Sequence, residues 1–249
     1  MGKQRIQMEL LVHDLKGPLA VIETGIISLL QREQKYGSLT EKQQKVLKRT
    51  LRNTKITKTL VNDVLEVGRS TEGRINVNKF PVSDFIKQSL IETFDLADHK
   101  TAEKIKGCIN ASAVKKVLSK KGVFFDINES LWCQTVCLDE CKLRQILRNL
   151  LNNALKYRKE IIKINIKQDD ECLFITVSDD GDGIPRAFHE KIFECYFQLD
   201  RGNESCVRGH GLGLAGVMVL VEDMGGELVL ESDKGKGANF SVKVPFADL

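Results

Sequence analysis

The N-terminal part of the chain carries the pattern that most limits what it can fold into. Apolar residues recur at three- and four-residue steps over residues 3–34 and again over residues 41–68. The polar stretch 35–43 predicts a turn, with Ser38 or Thr40 as the cap of the second helix. Two long helices joined by a short turn form an antiparallel hairpin. Because two helices cannot enclose a core, we expect a second copy to complete a four-helix bundle in a homodimer.

A histidine followed at once by an acid lies on the first predicted helix. His13 and Asp14 are followed one turn later by Gly17 and Pro18. A proline removes a backbone donor, so we expect a kink just beyond the histidine. A single histidine on a helix is ordinary, and its interpretation depends on the rest of the chain.

Composition excludes several classes of protein. The formal net charge of +4 comes from dispersed Lys and Arg, which gives no electrostatic case for nucleic acid. No apolar run approaches the roughly 20 residues of a membrane-spanning helix, and the N-terminus lacks a signal-peptide layout. The seven cysteines include no CxxC pair, which is typical of reduced cytoplasmic thiols. Cys133, Cys137 and Cys141 recur every fourth residue, but the stretch changes from strand-like to helix-like, so we expect no zinc.

Beyond residue 70 the hydrophobic period becomes mixed. We expect a helical domain over residues 1–70, a linker with a short strand over 71–81, and an α/β sandwich with a mixed sheet over 82–249. The predicted helices of this second domain are 83–97, opened by Ser83, then 139–158 and 211–226; its predicted strands are 122–131 and 134–138, and its predicted hairpins are 161–181 and 226–245.

Three asparagines within five residues mark the strongest predicted helix. Asn149 and Asn153 are four residues apart and therefore share a face, while neighbouring leucines form the buried side. Asparagine is a poor helix former, so the cluster indicates capping, a solvated face or a binding role. Carboxamide oxygens are hard neutral ligands suited to Mg²⁺.

Two glycine-rich stretches could bring backbone close to a ligand. DDGDGIP (179–185) directly follows a predicted strand, and an acid there could accept hydrogen bonds from an exocyclic amine, although Asp-Gly turns are common. In RGHGLGL (208–214), Gly209, Gly211 and Gly213 leave amides exposed at the start of a helix, which favours phosphate. The surrounding pattern fits neither a dinucleotide-binding fingerprint nor a phosphate loop.

Five stretches together, in order, resemble the sequence boxes of sensor histidine kinases. The matches are His13 with Asp14 and Pro18 for the H box, Asn149 to Tyr157 for the N box, DDGDGI (179–184) for the first glycine box, IFECYF (192–197) with Phe193 and Phe197 for the F box, and GHGLGL (209–214) for the second glycine box. The resemblance spans nearly the whole chain. It implies a dimerisation and histidine-phosphotransfer hairpin, followed by a Bergerat-type ATP-binding domain.

The resemblance also implies roles for individual residues. His13 would be autophosphorylated by ATP with Asp14 as general base, Asp179 would bind the adenine amino group, and Asn153 would ligate Mg²⁺. The other residues implied at the nucleotide are Asn149, Lys156, Tyr157, Gly181, Gly183, Ile184, Phe193, Gly209, Gly211, Leu212 and Gly213, with a lid over 186–210. Arg201 or Arg208 would reach the γ-phosphate, and the sequence does not choose between them.

The implied partners are a second copy and the receiver domain of a response regulator, whose aspartate takes the phosphoryl group. Related kinases often carry Thr or Asn four residues after the histidine, whereas Gly17 stands here. Glycine cannot orient a water, so we predict weak or absent phosphatase activity. We expect a cytoplasmic protein that is either the catalytic portion of a larger or membrane-bound sensor or takes its input from a sensor partner.

The basic stretch 98–122 is longer than the resemblance needs. It is either an extra helix, a partner surface or a solvated insertion, and the last explanation is the simplest. Two other functions remain open: another ATPase of the same nucleotide fold, such as an anti-sigma-type serine kinase or a gyrase- or chaperone-like ATPase, and a scaffold that only binds nucleotide. His13 on a dimerising hairpin separates the kinase from both.

Overall fold

The computed structural model describes residues 2–70, 75–194, 197 and 213–247 of the 249-residue chain. The chain divides into two compact units, Met1–Glu72 and Gly73–Leu249. No helix in these described ranges has both the length and the apolar content needed to cross a membrane.

The first unit is the predicted helical hairpin. Its helices are α1 (Gly2–Gln31), the short α2 (Glu33–Tyr36) and α3 (Glu41–Ser70), and α1 continues through Pro18. Of the two predicted caps, Thr40 is the one that starts α3. Its hydroxyl accepts from Gln43 N at 3.3 Å, and Gln43 Oε1 accepts from Thr40 N at 2.9 Å, which is a reciprocal capping box.

The described side chains of the hairpin form almost no core of their own. Among the side chains described in this unit, only Ile26 and Thr54 are buried. The apolar residues Leu15, Val21 and Val46 are 43%, 73% and 55% exposed. Helices of this kind are stable when their apolar stripes are covered, so this surface is consistent with a missing helical partner.

The second unit is built on a five-stranded mixed sheet. Its strand order is β2-β4-β5-β7-β6, in which β2 and β4 are parallel and the remaining neighbours antiparallel. A separate antiparallel pair is formed by β1 and β3. The strands are β1 (Asn78–Pro81), β2 (Val123–Ile127), β3 (Thr135–Leu138), β4 (Ile162–Gln168), β5 (Cys172–Asp179), β6 (Glu227–Ser232) and β7 (Ala238–Pro245).

Helices cover one face of this sheet. Along β4, Ile162, Ile164 and Ile166 are buried against the core while Lys163 and Lys167 are exposed, which is the alternation of a sheet with one solvated face. The helices are α4 (Val82–Ala97), α5 (His99–Lys106), α6 (Ala111–Ser119), α7 (Glu129–Trp132), α8 (Glu140–Tyr157) and α9 (Gly213–Asp223), with short 3₁₀ turns at Arg186–Phe188 and Lys191–Phe193. The predicted α/β sandwich with a mixed sheet is confirmed.

Two local predictions need correction. Ser83 does not cap α4, because Pro81 precedes the helix without a side-chain cap, and Val82 N instead donates to Gln134 O at 2.9 Å. The predicted strand 122–131 is too long. It ends at Ile127 because Asn128 caps α7 by accepting from Ser130 N at 3.0 Å.

The basic stretch 98–122 folds as two helices that contribute to the core. The inward faces of α5 and α6 bury small and aliphatic side chains, which are Thr101, Ala102, Ile105, Ala111, Val114 and Leu118. The insertion is therefore an integral part of the second unit, with its lysines on the outside.

Candidate functional site

Helix α8 is the element that positions the predicted nucleotide residues. Asp139 caps it: Oδ1 accepts from Lys142 N at 3.0 Å, and Oδ2 accepts from Asn76 N at 2.8 Å. Leu147, Leu150 and Leu151 are almost fully buried and fix the rotation of the helix. The helix thereby presents its asparagines away from the leucine core.

The amino end of α9 lies against the middle of α8. Asn149 is 7% exposed, and its Nδ2 donates to Gly213 O, the first residue of α9, at 3.3 Å. Gly213 and Leu214 are the part of the second glycine box that falls within the described residues. The sequence placed Asn149 and Gly213 at one nucleotide, and the structure brings these two residues together.

The carboxyl end of α9 is tied to the first turn of α8. Lys142 Nζ lies 2.7 Å from Asp223 Oδ2, and the two side chains are 9% and 11% exposed. A nearly buried ion pair of this geometry contributes most when both partners are present, because removing one leaves a desolvated charge. Helix α9 is thus held at both ends by side chains of α8.

The carboxyl end of α8 meets the first glycine box. A Cβ built on Gly181 would lie 2.3 Å from Tyr157 O and 2.7 Å from Asp179 Oδ1. Asp179 Oδ1 also accepts from Gly181 N at 2.8 Å. A side chain at position 181 would displace the predicted adenine-binding carboxylate, so glycine is required by close approach at this point.

The first glycine box also interlocks with the β6–β7 turn. Gly183 has φ +69°, and a Cβ there would lie 1.9 Å from Asp233 O. Gly237 has φ +77°, and a Cβ there would lie 1.9 Å from Asp179 O. Asp182 O accepts from Gly235 N at 2.6 Å, and Ser232 Oγ accepts from Ile184 N at 2.8 Å while donating to Gly237 O at 2.5 Å. Backbone therefore packs directly on backbone beside Asp179.

A second aspartate fastens this turn to β4. Asp180 Oδ1 accepts from Lys159 N at 2.9 Å and Glu160 N at 3.1 Å, and Oδ2 also accepts from Glu160 N at 3.1 Å. Burial raises the pKa of Asp180, but the backbone donors of Ile161, Glu160 and Lys159 outweigh it and leave the pKa below its ordinary value of 3.8. The carboxylate is the form that holds the turn.

The other predicted residues of α8 lie between these two contacts. Asn153 is one turn beyond Asn149 and is half-buried. Lys156 Nζ sits 4.7 Å from the ring centre of Tyr157, which is 40% exposed. From Asn149 to Tyr157 the helix rises about 12 Å. The predicted site is therefore a strip along α8 with a glycine contact at each end.

The remaining predicted residues fall in three groups. Ile184 is buried and Phe193 is partly buried, and both pack on the core. Gly209, Gly211, Leu212, Arg201 and Arg208 lie outside the described residues. His13 is in α1 of the first unit, where its backbone is described but its side chain is not, and Asp14 is exposed on the same helix.

A cavity of about 740 Å³ opens near Asp179, but it does not coincide with the strip of predicted nucleotide residues along α8. Asp179 is the one predicted nucleotide residue among its lining residues. Its walls include Lys163, Ser178 and Asn239, which are neighbours in register on the sheet face opposite α8. The cavity lies on the solvated side of the sheet, and neither Asn149 nor Asn153 is among its lining residues.

Comparison with protein families gives two matches that meet this architecture. Residues 138–248 match the family of histidine kinase-, DNA gyrase B- and HSP90-like ATPases. Residues 4–73 match the His Kinase A phospho-acceptor domain. The second match covers the hairpin and decides between the ATPase classes of this fold. The chain belongs to the sensor histidine kinases.

Individual sensor histidine kinases are similar over nearly the whole chain. The sensor histidine kinase WalK of Bacillus subtilis is 25% identical over 242 residues, which are 95% of this chain and 36% of the relative. The aerobic respiration control sensor protein ArcB of Escherichia coli is 31% identical over 237 residues, which are 93% of this chain and 27% of the relative. The chain thus spans about a third of the length of these curated relatives.

Solved structures agree in fold. A crystal structure of full-length ShkA in complex with AMPPNP has a TM-score of 0.65 at 24% identity and covers 98% of this chain and 46% of its own. The Acinetobacter baumannii histidine kinase AdeS has a TM-score of 0.57 at 18% identity, with 95% and 98% covered. At these identities the similarity concerns the fold of the sensor histidine kinase core.

Several residues that build the site were not singled out from the sequence. Lys142 and Asp223 are 81 positions apart and carry no local signal for pairing. Gly237 lies inside the predicted hairpin 226–245 with no pattern that marks it, although it is as crowded as Gly183. Asp180 belongs to the DDGDGIP stretch, where an Asp-Gly turn is common and marks no particular contact. The available sequence signal for Gly237 was that both residues 179–185 and residues 233–237 are rich in glycine.

Proposed function

We propose that this chain is the catalytic core of an ATP-dependent protein-histidine kinase that autophosphorylates His13. One observation carries the proposal: the phospho-acceptor hairpin with His13 and an ATPase-family domain occur in one chain, and α8 of that domain joins the predicted adenine and phosphate ends of the site. The hairpin distinguishes this function from that of a serine kinase or a gyrase-like ATPase.

Nucleotide binding follows from the strip along α8. The Asp179 carboxylate accepts a hydrogen bond from the adenine amino group. The backbone packing of the interlocked glycine turns fixes the position of this carboxylate. Tyr157 and Lys156 line the next part of the site. Asn149 fixes the amino end of α9, where backbone N–H groups favour the phosphates. Gly209 and Gly211 precede α9 and belong to the same proposed phosphate contact.

The donor set on α8 fits a magnesium ion. The side-chain N–H of Asn149 donates to Gly213 O, so its carboxamide oxygen can act as an acceptor or a metal ligand. Asn153 lies one turn further on the same helix and supplies a second neutral oxygen, and Mg²⁺ prefers oxygen ligands that leave places for water and phosphate. When bound, the ion supplies neutralisation of charge on the phosphate oxygens.

The reaction at His13 requires a neutral imidazole. One ring nitrogen attacks the γ-phosphorus, the nitrogen–phosphorus bond forms, and the bond to the β-phosphate oxygen breaks so that ADP leaves. Asp14 accepts the proton from the other ring nitrogen. A histidine with an unperturbed pKa of about 6.5 is mostly neutral at pH 7.

We propose that a homodimer forms on the hairpin. The exposed apolar residues of α1 and α3, including Val21 and Val46, lie on helices whose described side chains are almost all exposed or half-buried within one chain. A second copy would cover them as a four-helix bundle. The phosphoryl group would pass from His13 to an aspartate of a response-regulator receiver domain in the cytoplasm, with input from an upstream sensor module or partner.

A labelling experiment tests the kinase directly. With γ-labelled ATP and Mg²⁺, the chain should acquire acid-labile, base-stable phosphate. His13→Ala should abolish the label, whereas His99→Ala, which alters an exposed histidine of α5, should not. Asn153→Ala should also abolish it, and Asn152→Ala is the matched neighbour that should retain most of it. Acid-stable label, or label that survives His13→Ala, would remove the histidine-kinase proposal.

Gly17 makes a separate prediction about the reverse reaction. The wild-type chain should dephosphorylate its phosphorylated regulator weakly, because no side chain four residues after His13 orients a water. Gly17→Thr should raise that rate, and the substitution fits the fold because a Cβ at Gly17 meets nothing within 4 Å in the described residues. Regulator turnover is followed with and without nucleotide. Rapid nucleotide-independent dephosphorylation by the wild type would contradict the prediction.

A further inference from the structure

The second unit contains one strongly basic segment that the kinase function does not use. Residues 98–122 contain seven lysines and two acidic residues, which gives the segment a formal charge of +5. The first unit has its own basic run, residues 42–58 of α3, with seven Lys and Arg and no acidic residue. Segment 98–122 is the helix pair α5–α6, and it lies outside the strip of predicted nucleotide residues.

The helix pair is a closed and well-anchored module. Lys121 Nζ lies 2.6 Å from Asp98 Oδ2, which joins the two ends of the segment. The side chains of Lys121 and then Thr101 donate to this carboxylate and lower the pKa of Asp98 to about 2, so the link is charged at all physiological pH values. The buried faces of both helices hold the module on the domain, and its outer surface has a fixed shape.

Four lysines on that outer surface are available to a partner. Lys100 and Lys104 are one turn apart on α5, and Lys116 and Lys120 are one turn apart at the end of α6. All four are exposed, and within residues 75–194 of the structure none of them makes an ion pair. The other three lysines of the segment are paired with Glu103, Asp126 and Asp98.

An isoleucine stands out of the turn between the two helices. Ile109 is 91% exposed, the largest exposure among the described large apolar residues. The turn is fixed on both sides of it: Cys108 is buried and donates to Lys104 O at 3.3 Å, and Asn110 caps α6 by accepting from Ala113 N at 2.9 Å. Ile109 is therefore held outward by the inward side chain before it and the cap after it.

The composition of this surface favours a lipid over a macromolecule of another class. Residues 98–122 contain no Arg, Phe, Trp, Tyr or Met. Protein interfaces are enriched in those residues and depleted in lysine. Nucleic-acid sites use arginine forks or aromatic stacking. Lysines that act as point charges are typical of a surface that binds anionic lipid headgroups. A projecting aliphatic residue between them can insert into the boundary between headgroups and acyl chains.

We propose that α5, Ile109 and α6 form a peripheral docking surface for an anionic lipid bilayer. The four free lysines bind the headgroup region, and Ile109 enters the headgroup–acyl boundary. Each lysine near such a surface changes partitioning by about fivefold. Two copies in a dimer would add their contributions, since the second binds at high effective concentration.

Vesicle flotation with the full chain tests the proposal. The chain should float with vesicles of equal parts phosphatidylglycerol and phosphatidylcholine, should not float with phosphatidylcholine alone, and should be released by high salt. Changing Lys100, Lys104, Lys116 and Lys120 together to Gln should weaken binding by about 600-fold. The matched control changes Lys79, Lys167, Lys234 and Lys243 to Gln, which removes the same charge from exposed positions elsewhere in the second unit and should change binding little.

A fluorescence measurement tests the position of Ile109. The indole of the Ile109→Trp variant should shift its emission to the blue and become accessible to lipid-borne quenchers when phosphatidylglycerol vesicles are added. Phe124→Trp places the same probe at a site that is 51% exposed on the sheet, and it should not respond. Failure to bind anionic vesicles, equal weakening by both quadruple variants, or unchanged emission from the Ile109→Trp variant would each overturn the proposal. Stronger binding to DNA or to polyglutamate than to vesicles would overturn it in favour of that partner class.

Discussion

The two ends of the proposed nucleotide site are built in different ways. At Asp179, backbone packs on backbone, and a Cβ at Gly183 or Gly237 would come within 1.9 Å of a carbonyl oxygen. At the amino end of α9, a Cβ on Gly213 would meet Asn149 Cγ at an ordinary 3.9 Å. One end is fixed by main-chain contact, which cannot adjust without moving strands. The other is held by side chains, which can change rotamer when phosphate or a lid moves.

The largest effect should come from filling the tight end. Gly183→Ala forces a left-handed residue and a clash with Asp233 O, so we expect a loss of at least about 2 kcal/mol of unfolding free energy and about a hundredfold in ATP affinity. Urea unfolding and nucleotide titration measure the two quantities.

The turn offers its own control for this substitution. Gly235 also has a positive φ, +85°, but a Cβ there meets nothing within 4 Å among the described residues. Gly235→Ala should therefore lose only the conformational part, about 1 kcal/mol, and should bind ATP normally. Equal effects at the two positions would show that strain alone matters, and the contrast between the ends of the site would lose its steric basis.

Next in size is the ion pair that fixes α9. Lys142→Met removes the ammonium group from the nearly buried Asp223 carboxylate, which costs about 3 kcal/mol of unfolding free energy and, by loosening α9, about tenfold in ATP affinity. The double variant Lys142→Met and Asp223→Leu should recover most of the stability, because two apolar side chains replace the buried pair.

An exposed ion pair at the other end serves as the comparison. Lys159 and Asp182 are 3.1 Å apart, but their side chains are 59% and 67% exposed. Lys159→Met should change stability by less than about 1 kcal/mol. If the double variant recovers stability and also full ATP affinity, α9 does not need this pair for its position, and side-chain control of the phosphate end would be refuted.

The sequence predicted the parts of this contrast that are local. Helix α8 was predictable because its leucines repeat at helical spacing and Asp139 and the asparagines stand at fixed offsets from them. The β4–β5 hairpin was predictable from alternation on one chain segment. Gly181 and Gly183 were found through their resemblance to a family motif, and both proved to be close-approach positions.

What the sequence did not predict depends on contacts between distant segments. Gly237 is required only because residues 233–237 fold onto residues 179–183. Lys142 finds Asp223 only after α9 has packed on α8. The burial of α5 and α6 was hidden because lysines dominate their composition, while the inward residues are as small as Ala102 and Ala111. Long-range partners and small buried side chains leave little trace in a local pattern.

A smaller effect on stability, which depends on pH, should appear when Asp180 is changed. Its native pKa lies below the ordinary value of 3.8, so its contribution to stability is complete above that value and is lost as pH falls through the lower native pKa. Asp180→Asn should therefore be less stable than wild type at pH 7, and the difference should shrink below about pH 4. Urea unfolding of both proteins over this range measures it. A difference that is constant with pH would mean that the carboxylate does not hold the turn.

The smallest effect should come from Gly213→Ala at the adjustable end. Its Cβ meets Asn149 at ordinary contact distance, φ is not positive, and alanine is the better helix former, so stability should stay level or rise slightly. ATP affinity should change by less than about threefold, since a shift of that size is well under 1 kcal/mol. The same substitution at Gly181, where Tyr157 O lies 2.3 Å from the new atom, is the paired test at the tight end. If Gly213→Ala weakens ATP binding as strongly as Gly181→Ala, both ends of the site are sterically closed around the nucleotide. The difference in packing between the two ends would then exist only in the protein without ligand.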